Sequence, residues 1–175
     1  MKVLVDEAHG THFYFGDGLP PSAMSCGADM ASVSVHKTGG SLTQSAILLL
    51  GKGIDPNYVR QIINLTQTTS ASYLLMVSLD LARQNLALHG REFYAKTVEF
   101  ADYARKEINA IGGYYAFGEE LCDGKAFYAF DRTKLSVHTR AMGLAGIEVY
   151  DLLRDEYDIQ IEFGDIGNIL SLIHI

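Results

Sequence analysis

Two short apolar segments near the start of the chain, residues 2–5 and 31–35, place the strongest constraint on its fold. The first consists mostly of branched apolar residues and the second alternates serine with valine, so both patterns predict strands. Pro20 and Pro21 close a glycine-rich loop between them and predict a short helix over 22–27. A strand, a crossover and a second strand within about 35 residues form a βαβ unit, in which the two strands are parallel. The sequence therefore predicts an α/β fold.

Reactive side chains follow both predicted strands. Residues 6–10 have the sequence Asp-Glu-Ala-His-Gly, and His36, Lys37 and Thr38 come after the second strand. The carboxyl ends of parallel strands meet at one edge of a sheet, where open α/β proteins bind their ligands. We therefore expect Asp6 and Lys37 to face one pocket. A lysine in this place is either a solvated surface charge or a desolvated amine that acts as a covalent nucleophile.

The net charge of the chain indicates which classes of molecule it can bind. The 175 residues include 21 acidic and 14 basic side chains, which give a net charge of −7 and argue against nucleic acid or an anionic membrane as the main partner. Cys26 and Cys122 form no Cys-x-x-Cys pair, so neither a zinc cluster nor a disulfide framework is indicated. The longest purely apolar run, 46–50, is too short to span a bilayer, and no signal peptide is visible. These features predict a cytoplasmic protein that acts on a small molecule.

The rest of the chain carries further helix and strand patterns. Strands are predicted at 45–50, 126–130, 135–137 and 159–163. Helices are predicted at 55–65, 73–88, 91–111 and 141–156. Gly90 is expected to end the second of these helices.

The change from helical to strand patterns predicts a division of the chain. Residues 1–125 would belong to a larger domain, and residues 126–175 would begin a smaller α+β subdomain. A core strand begins at residue 2 and the chain stops inside an apolar run, so we expect a fragment of a larger protein. In that case Met1 would be an internal methionine of the larger protein. Residues 171–175 would not be native sequence.

The two polar clusters together resemble a pyridoxal-phosphate (PLP) site. The stretch Ser-x-His-Lys-Thr-x-x-x-Leu-Thr-Gln at residues 34–44, with Asp-Glu-Ala-His-Gly at 6–10, is similar to the Orn/Lys/Arg decarboxylase family of fold type I PLP-dependent enzymes. The likeness covers nearly the whole chain, with a departure at Ala71, where many relatives have proline. It implies that residues 1–125 are part of a three-layer α/β/α PLP-binding major domain with a mostly parallel sheet. It also implies a homodimer or a higher homo-oligomer.

The resemblance assigns a cofactor role to five residues. Lys37 would hold PLP covalently, and Asp6 would face the pyridine nitrogen and favour the protonated ring. Ala8 would lie against the ring face, where its small side chain permits close approach. Ser34 and His36 would donate hydrogen bonds to the phosphate.

The resemblance also implies a reaction, the decarboxylation of a basic amino acid (arginine, lysine or ornithine) to an amine and CO2. Lys37 or His36 would return a proton to the substrate carbon, and His9 would border the substrate side. Thr68 or Thr69 would reach the cofactor phosphate of a partner subunit. The upstream half of the family's cofactor site is not in this sequence, so we expect the fragment by itself to be incomplete or inactive.

Several alternatives stay open at the level of sequence. His9 and His12, with Asp6 and Asp17, could form a metal site and indicate a metal-dependent hydrolase. Residues 66–72 could be a polar helix entry, with Thr69 or Ser70 as its cap, and have no ligand. An aminotransferase or another lyase of the same fold would use the same lysine, and an inactive piece that only packs into a dimer would use none of these residues.

Overall fold

The computed structural model describes residues 1–67 and 69–172. The chain divides into two compact units between Glu92 and Phe93, and one long helix contributes residues to both. The predicted domain boundary between residues 125 and 126 stays a prediction. Among the described residues, no helix is both long enough and apolar enough to cross a membrane.

A three-stranded sheet forms the centre of the first unit. The strands β1 (Leu4–Asp6) and β2 (Met30–Val33) are parallel, with Asp6 opposite Ser32. The strand β3 (Ile47–Leu50) pairs antiparallel with the other edge of β2. The predicted parallel pair is therefore confirmed, and the third strand lies within the segment predicted for it.

The connection from β1 to β2 differs from the prediction. It contains a 3₁₀ turn at Thr11–Tyr14, and residues 22–27 form hydrogen-bonded turns, so the prediction of a crossover helix is wrong. The Ser22 hydroxyl accepts from the Ser25 N–H, and the Ser25 hydroxyl donates to the Ser22 carbonyl. The backbone bonds of the segment differ in span, from Cys26 to Ser22, from Gly27 to Met24 and from Ala28 to Ala23, so they form turns and not a regular helix.

The second strand also ends earlier than predicted. Its alternation is real, since Ala31 and Val33 are buried, but β2 stops at Val33. The next residues form a short helix α1 (Val35–Thr38). Lys37 therefore lies on a helical turn and not directly at the end of a strand.

Two longer helices follow β3. The helix α2 (Pro56–Thr66) begins as predicted, because the Asp55 carboxylate accepts from the Asn57 N–H at 2.9 Å. The helix α3 (Tyr73–Ile111) begins after Ser72, whose hydroxyl accepts from the Leu75 N–H.

Gly90 does not end a helix, because α3 continues through it. A Cβ at this position would lie 2.9 Å from the Phe15 Cβ, closer than real Cβ atoms come. The glycine therefore permits close packing of α3 on Phe15, and the predicted break at Gly90 is wrong.

An antiparallel sheet and one helix organise the second unit. The strands are ordered β4 (Tyr115–Ala116), β5 (Lys134–His138), β7 (Asn168–Leu172) and β6 (Phe163–Gly164). The helix is α4 (Gly146–Tyr157), and 3₁₀ turns occupy Glu119–Leu121 and Arg140–Met142. The buried core of this unit consists of Ala116, Leu135 and Val137.

Three sequence predictions in the second unit need correction. Residues 126–130 form no strand, because the Asp123 carboxylate accepts from three successive backbone N–H groups at 125–127 and folds the segment into a loop. The predicted strand 159–163 is displaced to β6 and β7, and the helix predicted from 141 begins only at Gly146. The strand predicted at 135–137 is confirmed as part of β5.

Candidate active site

The first part of the site is the segment that follows β1. Asp6 is exposed at the end of the strand, and its Oδ1 accepts from the Ala8 N–H at 3.1 Å. The Glu7 N–H continues the pairing with β2 by donating to the Ser32 carbonyl at 2.9 Å. The turn closes where the Gly10 N–H donates to the Glu7 carbonyl. This backbone pattern fixes the direction of the Asp6 and Ala8 side chains at the sheet edge.

The second part is the helical turn α1. Ser34 precedes the helix, and its carbonyl accepts from the Lys37 N–H at 3.0 Å. The His36 N–H donates to the Ser45 carbonyl at 3.3 Å, which ties the turn to the loop before β3. His36 is half-buried and Lys37 is exposed. The turn thus holds both side chains close to the carboxyl end of β2.

A contact between two reactive side chains joins the two parts. The Lys37 Nζ lies 3.4 Å from the His9 Nε2, although 28 residues separate them in sequence. The parallel pairing of β1 and β2 accounts for this, because it brings both strand ends to one edge. An amine and an imidazole at this distance can exchange a proton.

Sequence reasoning missed the buried carboxylate of Glu7. This residue is 9% exposed, and its oxygens accept from the Tyr14 hydroxyl at 2.6 Å and from the Ala23 N–H at 2.8 Å. Burial and the hydrogen bond to Glu7 raise the pKa of Tyr14 to about 12, so its hydroxyl remains a donor. The only sequence signal was a second acid, next to Asp6, directly after a predicted strand.

The structure describes one of the two threonines predicted to reach a partner's cofactor. Thr69 is exposed in the connection between α2 and α3, and Thr68 lies outside the described residues. The Ser72 hydroxyl accepts from the Leu75 N–H in the first turn of α3. The roles of Thr68 and Thr69 at the cofactor stay predictions.

The alternative metal site has no support in the geometry. Within residues 1–67 and 69–172, no three His, Cys, Asp or Glu side chains are grouped so that they could hold a metal ion. His12 is instead 1% exposed, and its ring packs at a tilt of 52° against the Phe13 ring with centroids 4.4 Å apart.

Comparison with known protein families gives the context for this cluster. The family model described as Orn/Lys/Arg decarboxylase, major domain, matches residues 1–142. The chain belongs to the Orn/Lys/Arg decarboxylase family. The match includes both β1 and α1, which carry the cluster around Lys37 and His9.

Two curated relatives in this family are named arginine decarboxylase. The protein of Halalkalibacterium halodurans is 48% identical over 174 residues, which are 99% of this chain and 35% of the relative. That of Bacillus subtilis is 47% identical over 173 residues, which are 98% of this chain and 35% of the relative. The chain spans about a third of the length of these relatives.

Solved structures show that the fold is that of type I PLP-dependent enzymes, present here in part. The lysine decarboxylase of Francisella novicida aligns with a TM-score of 0.80 and 17% identity, over 98% of this chain and 29% of that one. The constitutive lysine decarboxylase of E. coli aligns with a TM-score of 0.74 and 18% identity, over 98% and 30%. A PLP-bound structure from Clostridium difficile 630 aligns with a TM-score of 0.65 and 15% identity, over 99% and 45%.

Proposed function

We propose that this chain supplies the lysine-bearing part of a PLP-dependent decarboxylase that acts on a basic amino acid. The observation that carries the proposal is the 3.4 Å contact between Lys37 Nζ and His9 Nε2. It brings the two motif segments of the family together at one sheet edge, beside the exposed carboxylate of Asp6.

The residues at this edge fit PLP. The Lys37 amine is exposed and can react with the cofactor aldehyde, and the Asp6 carboxylate is exposed and can hold a proton at the pyridine nitrogen. Ala8 between them offers a small side chain to a ring, and Ser34 and His36 would donate to the phosphate. We also propose that Thr68 and Thr69 bind the phosphate of the cofactor held by a partner subunit in a homodimer. When bound, PLP supplies a conjugated ring that accepts the electron pair left on the substrate carbon as CO2 departs.

The chain's own residues would control the proton transfer. The Lys37 amine, once exchanged for the substrate amine, would hold the proton that the substrate carbon takes up. His9 lies close enough to Lys37 to receive and return that proton, and it would border the substrate. His36 is one residue from Lys37 and is the second candidate for this transfer.

Arginine is the substrate that we favour among the three basic amino acids. The support is that the relatives at 48% and 47% identity are named arginine decarboxylase. The structures named lysine decarboxylase are only 17% and 18% identical and support the fold alone.

Covalent labelling of the lysine tests cofactor binding. The chain is incubated with PLP, reduced with borohydride and analysed by peptide mapping. We expect one adduct on Lys37, its loss in Lys37→Arg, and no change in Lys52→Arg, which alters an exposed lysine in the loop after β3. An adduct spread over the surface lysines would contradict the proposal, and so would the absence of an adduct on Lys37 in the folded hybrid enzyme described below.

Activity is tested in a hybrid, because the chain spans about a third of its relatives. The matching 173-residue segment of the Bacillus subtilis arginine decarboxylase is replaced by this chain. We expect CO2 release from arginine, without a keto acid, and less from lysine or ornithine. Turnover that requires a keto acid would identify an aminotransferase instead.

A further inference from the structure

Glu7 is a buried acid that the proposed chemistry does not use. It lies between Asp6 and Ala8, the residues assigned to the pyridine nitrogen and the ring face, yet its own side chain points into the protein and is 9% exposed. A carboxylate loses its hydration on burial and needs hydrogen bonds in compensation. Glu7 receives two such hydrogen bonds, from Tyr14 and from Ala23.

The bonds of Glu7 link three separate pieces of the first unit. One oxygen accepts from the hydroxyl of Tyr14 in the 3₁₀ turn, and the other accepts from the N–H of Ala23 in the turns before β2. The Glu7 N–H itself donates to the carbonyl of Ser32 on β2. One residue therefore connects the end of β1 to the 3₁₀ turn, to the crossover and to the neighbouring strand.

The backbone leaves space for this arrangement at Gly10. A Cβ on Gly10 would lie 2.3 Å from the Glu7 Cγ and 3.0 Å from Phe13 Cδ2. The Glu7 side chain therefore lies directly against the Gly10 backbone and fills the inside of the 7–10 turn. His9, whose ring reaches Lys37, is part of the same turn.

We propose that Glu7 is a positioning residue, whose buried carboxylate holds Asp6, Ala8 and His9 in the geometry that receives the cofactor. This inference rests on the proposed function. The two side chains next to Glu7 project from the same short backbone segment, so rotation of that segment moves both. Misplacement of such groups by about 1 Å is enough to cost on the order of a hundredfold in rate.

Three variants separate the parts of this arrangement. Glu7→Gln keeps the size of the side chain but removes its charge: the amide oxygen can still accept from the Ala23 N–H, whereas the NH2 group can only donate, so the Tyr14 hydroxyl has to turn from donor to acceptor. Tyr14→Phe removes one hydrogen bond and leaves the carboxylate in place, so it is the mildest change. Tyr58→Phe is the matched control, because Tyr58 is 64% exposed on α2.

The first readout is the PLP dissociation constant of the hybrid enzyme that carries each variant, with the yield of reducible adduct on Lys37. We expect Glu7→Gln to weaken PLP binding about tenfold or more and Tyr14→Phe about threefold, while Tyr58→Phe has no effect. The second readout is the absorbance of the loaded hybrid enzyme against pH, which follows protonation of the ring nitrogen. The midpoint of this titration should fall by about one unit in Glu7→Gln, because a displaced Asp6 carboxylate no longer favours the protonated ring. A change in stability alone would lower the adduct yield without moving this midpoint.

The third readout needs no cofactor. Amide hydrogen exchange at residues 8–14 should accelerate in Glu7→Gln and Tyr14→Phe and stay unchanged in Tyr58→Phe. Equal PLP affinity, equal pH midpoint and equal exchange in all four proteins would overturn the role of Glu7 while leaving the proposed function intact. Failure of the unaltered hybrid enzyme to form an adduct on Lys37 would instead overturn the proposed function, and this inference with it.

Discussion

Gly39 and Thr11 are packed so closely that no side chain fits between them. A Cβ on Gly39 would lie 2.8 Å from the Thr11 Cγ2 and 2.7 Å from the Val35 Cγ1. Gly39 ends α1, the turn that carries Lys37, and Thr11 begins the 3₁₀ turn that follows His9. This contact holds the two halves of the candidate site against each other.

Substitution of Gly39 should therefore be costly for the fold. Gly39→Ala forces α1 and the 3₁₀ turn apart, and we expect a loss of about 1–3 kcal/mol in the free energy of unfolding. Denaturant unfolding of the chain measures this. Gly53→Ala is the control, because its Cβ would meet only the flexible end of Lys2, and its effect should stay within about 0.5 kcal/mol. Equal effects of both substitutions would show that the close contact is relaxed in solution.

Arg105 should be the most sensitive charged residue of the second unit. Its guanidinium is 12% exposed and donates to the carbonyls of Phe117, Arg132 and Lys134 and to the carboxylate of Asp102. A glutamine is too short to donate to all of these acceptors. The carbonyls that it cannot reach are partly buried and would lose a hydrogen bond. We expect Arg105→Gln to lower the free energy of unfolding by about 2–4 kcal/mol.

The control for Arg105 is its neighbour on the same helix. Lys106 is exposed on α3, so Lys106→Gln removes the same charge without removing a buried hydrogen bond. Its effect should stay within about 0.5 kcal/mol. Thermal or denaturant unfolding of both variants measures the two free energies of unfolding. If Arg105→Gln lowers the free energy of unfolding as little as Lys106→Gln does, water replaces the hydrogen bonds of the guanidinium.

Two tyrosines predict how stability changes at alkaline pH. Burial raises the pKa of Tyr94 to about 12, and burial with the Glu7 hydrogen bond raises that of Tyr14 to about 12, from an ordinary value of 10.0. Below about pH 10 both states of the chain keep these protons, so the full stability is present. Above it the unfolded chain releases them first, so stability falls as the pH rises toward 12.

Unfolding experiments at about pH 9 and about pH 11 measure this loss. Tyr94→Phe and Tyr14→Phe should each make the decline less steep, because phenylalanine has no proton to release. Tyr103→Phe is the control, since Tyr103 is 65% exposed and should leave the slope unchanged. A slope that is the same in all variants would show that other groups govern alkaline unfolding.

The sequence was sufficient where the signal was local. Alternation over 31–35 and the apolar run at 2–5 predicted two strands, and chain topology made them parallel, so the pattern alone placed the polar segments after both strands at one sheet edge. The contact of His9 with Lys37 was not predicted. The cap at Asp55 was predicted for the same reason, since a cap depends on three neighbouring residues.

The errors arose where a distant contact decides the local structure. A glycine such as Gly90 is typical of a helix end. In this protein it lies inside a continuous helix, because Phe15 packs against the backbone where a side chain would otherwise be. The short strand β4 is supported by a side chain, because the Asn109 amide donates to the Ala116 carbonyl and its oxygen accepts from the Ala116 N–H. Phe15 is far from Gly90 in the sequence, and Asn109 is seven residues from Ala116, so no local sequence pattern predicts either contact.

The contact between His9 and Lys37 leads to the last prediction. If His9 assists proton transfer at Lys37, then His9→Asn in the hybrid enzyme should lower kcat for arginine by about a hundredfold, since general acid–base groups contribute on that order. Asparagine keeps a polar side chain there, so the adduct on Lys37 should still form. His89→Asn is the control, because His89 is exposed on α3. Full kcat in His9→Asn would assign the proton transfer to His36, whereas loss of the adduct would mean that His9 is needed for cofactor binding and not for proton transfer.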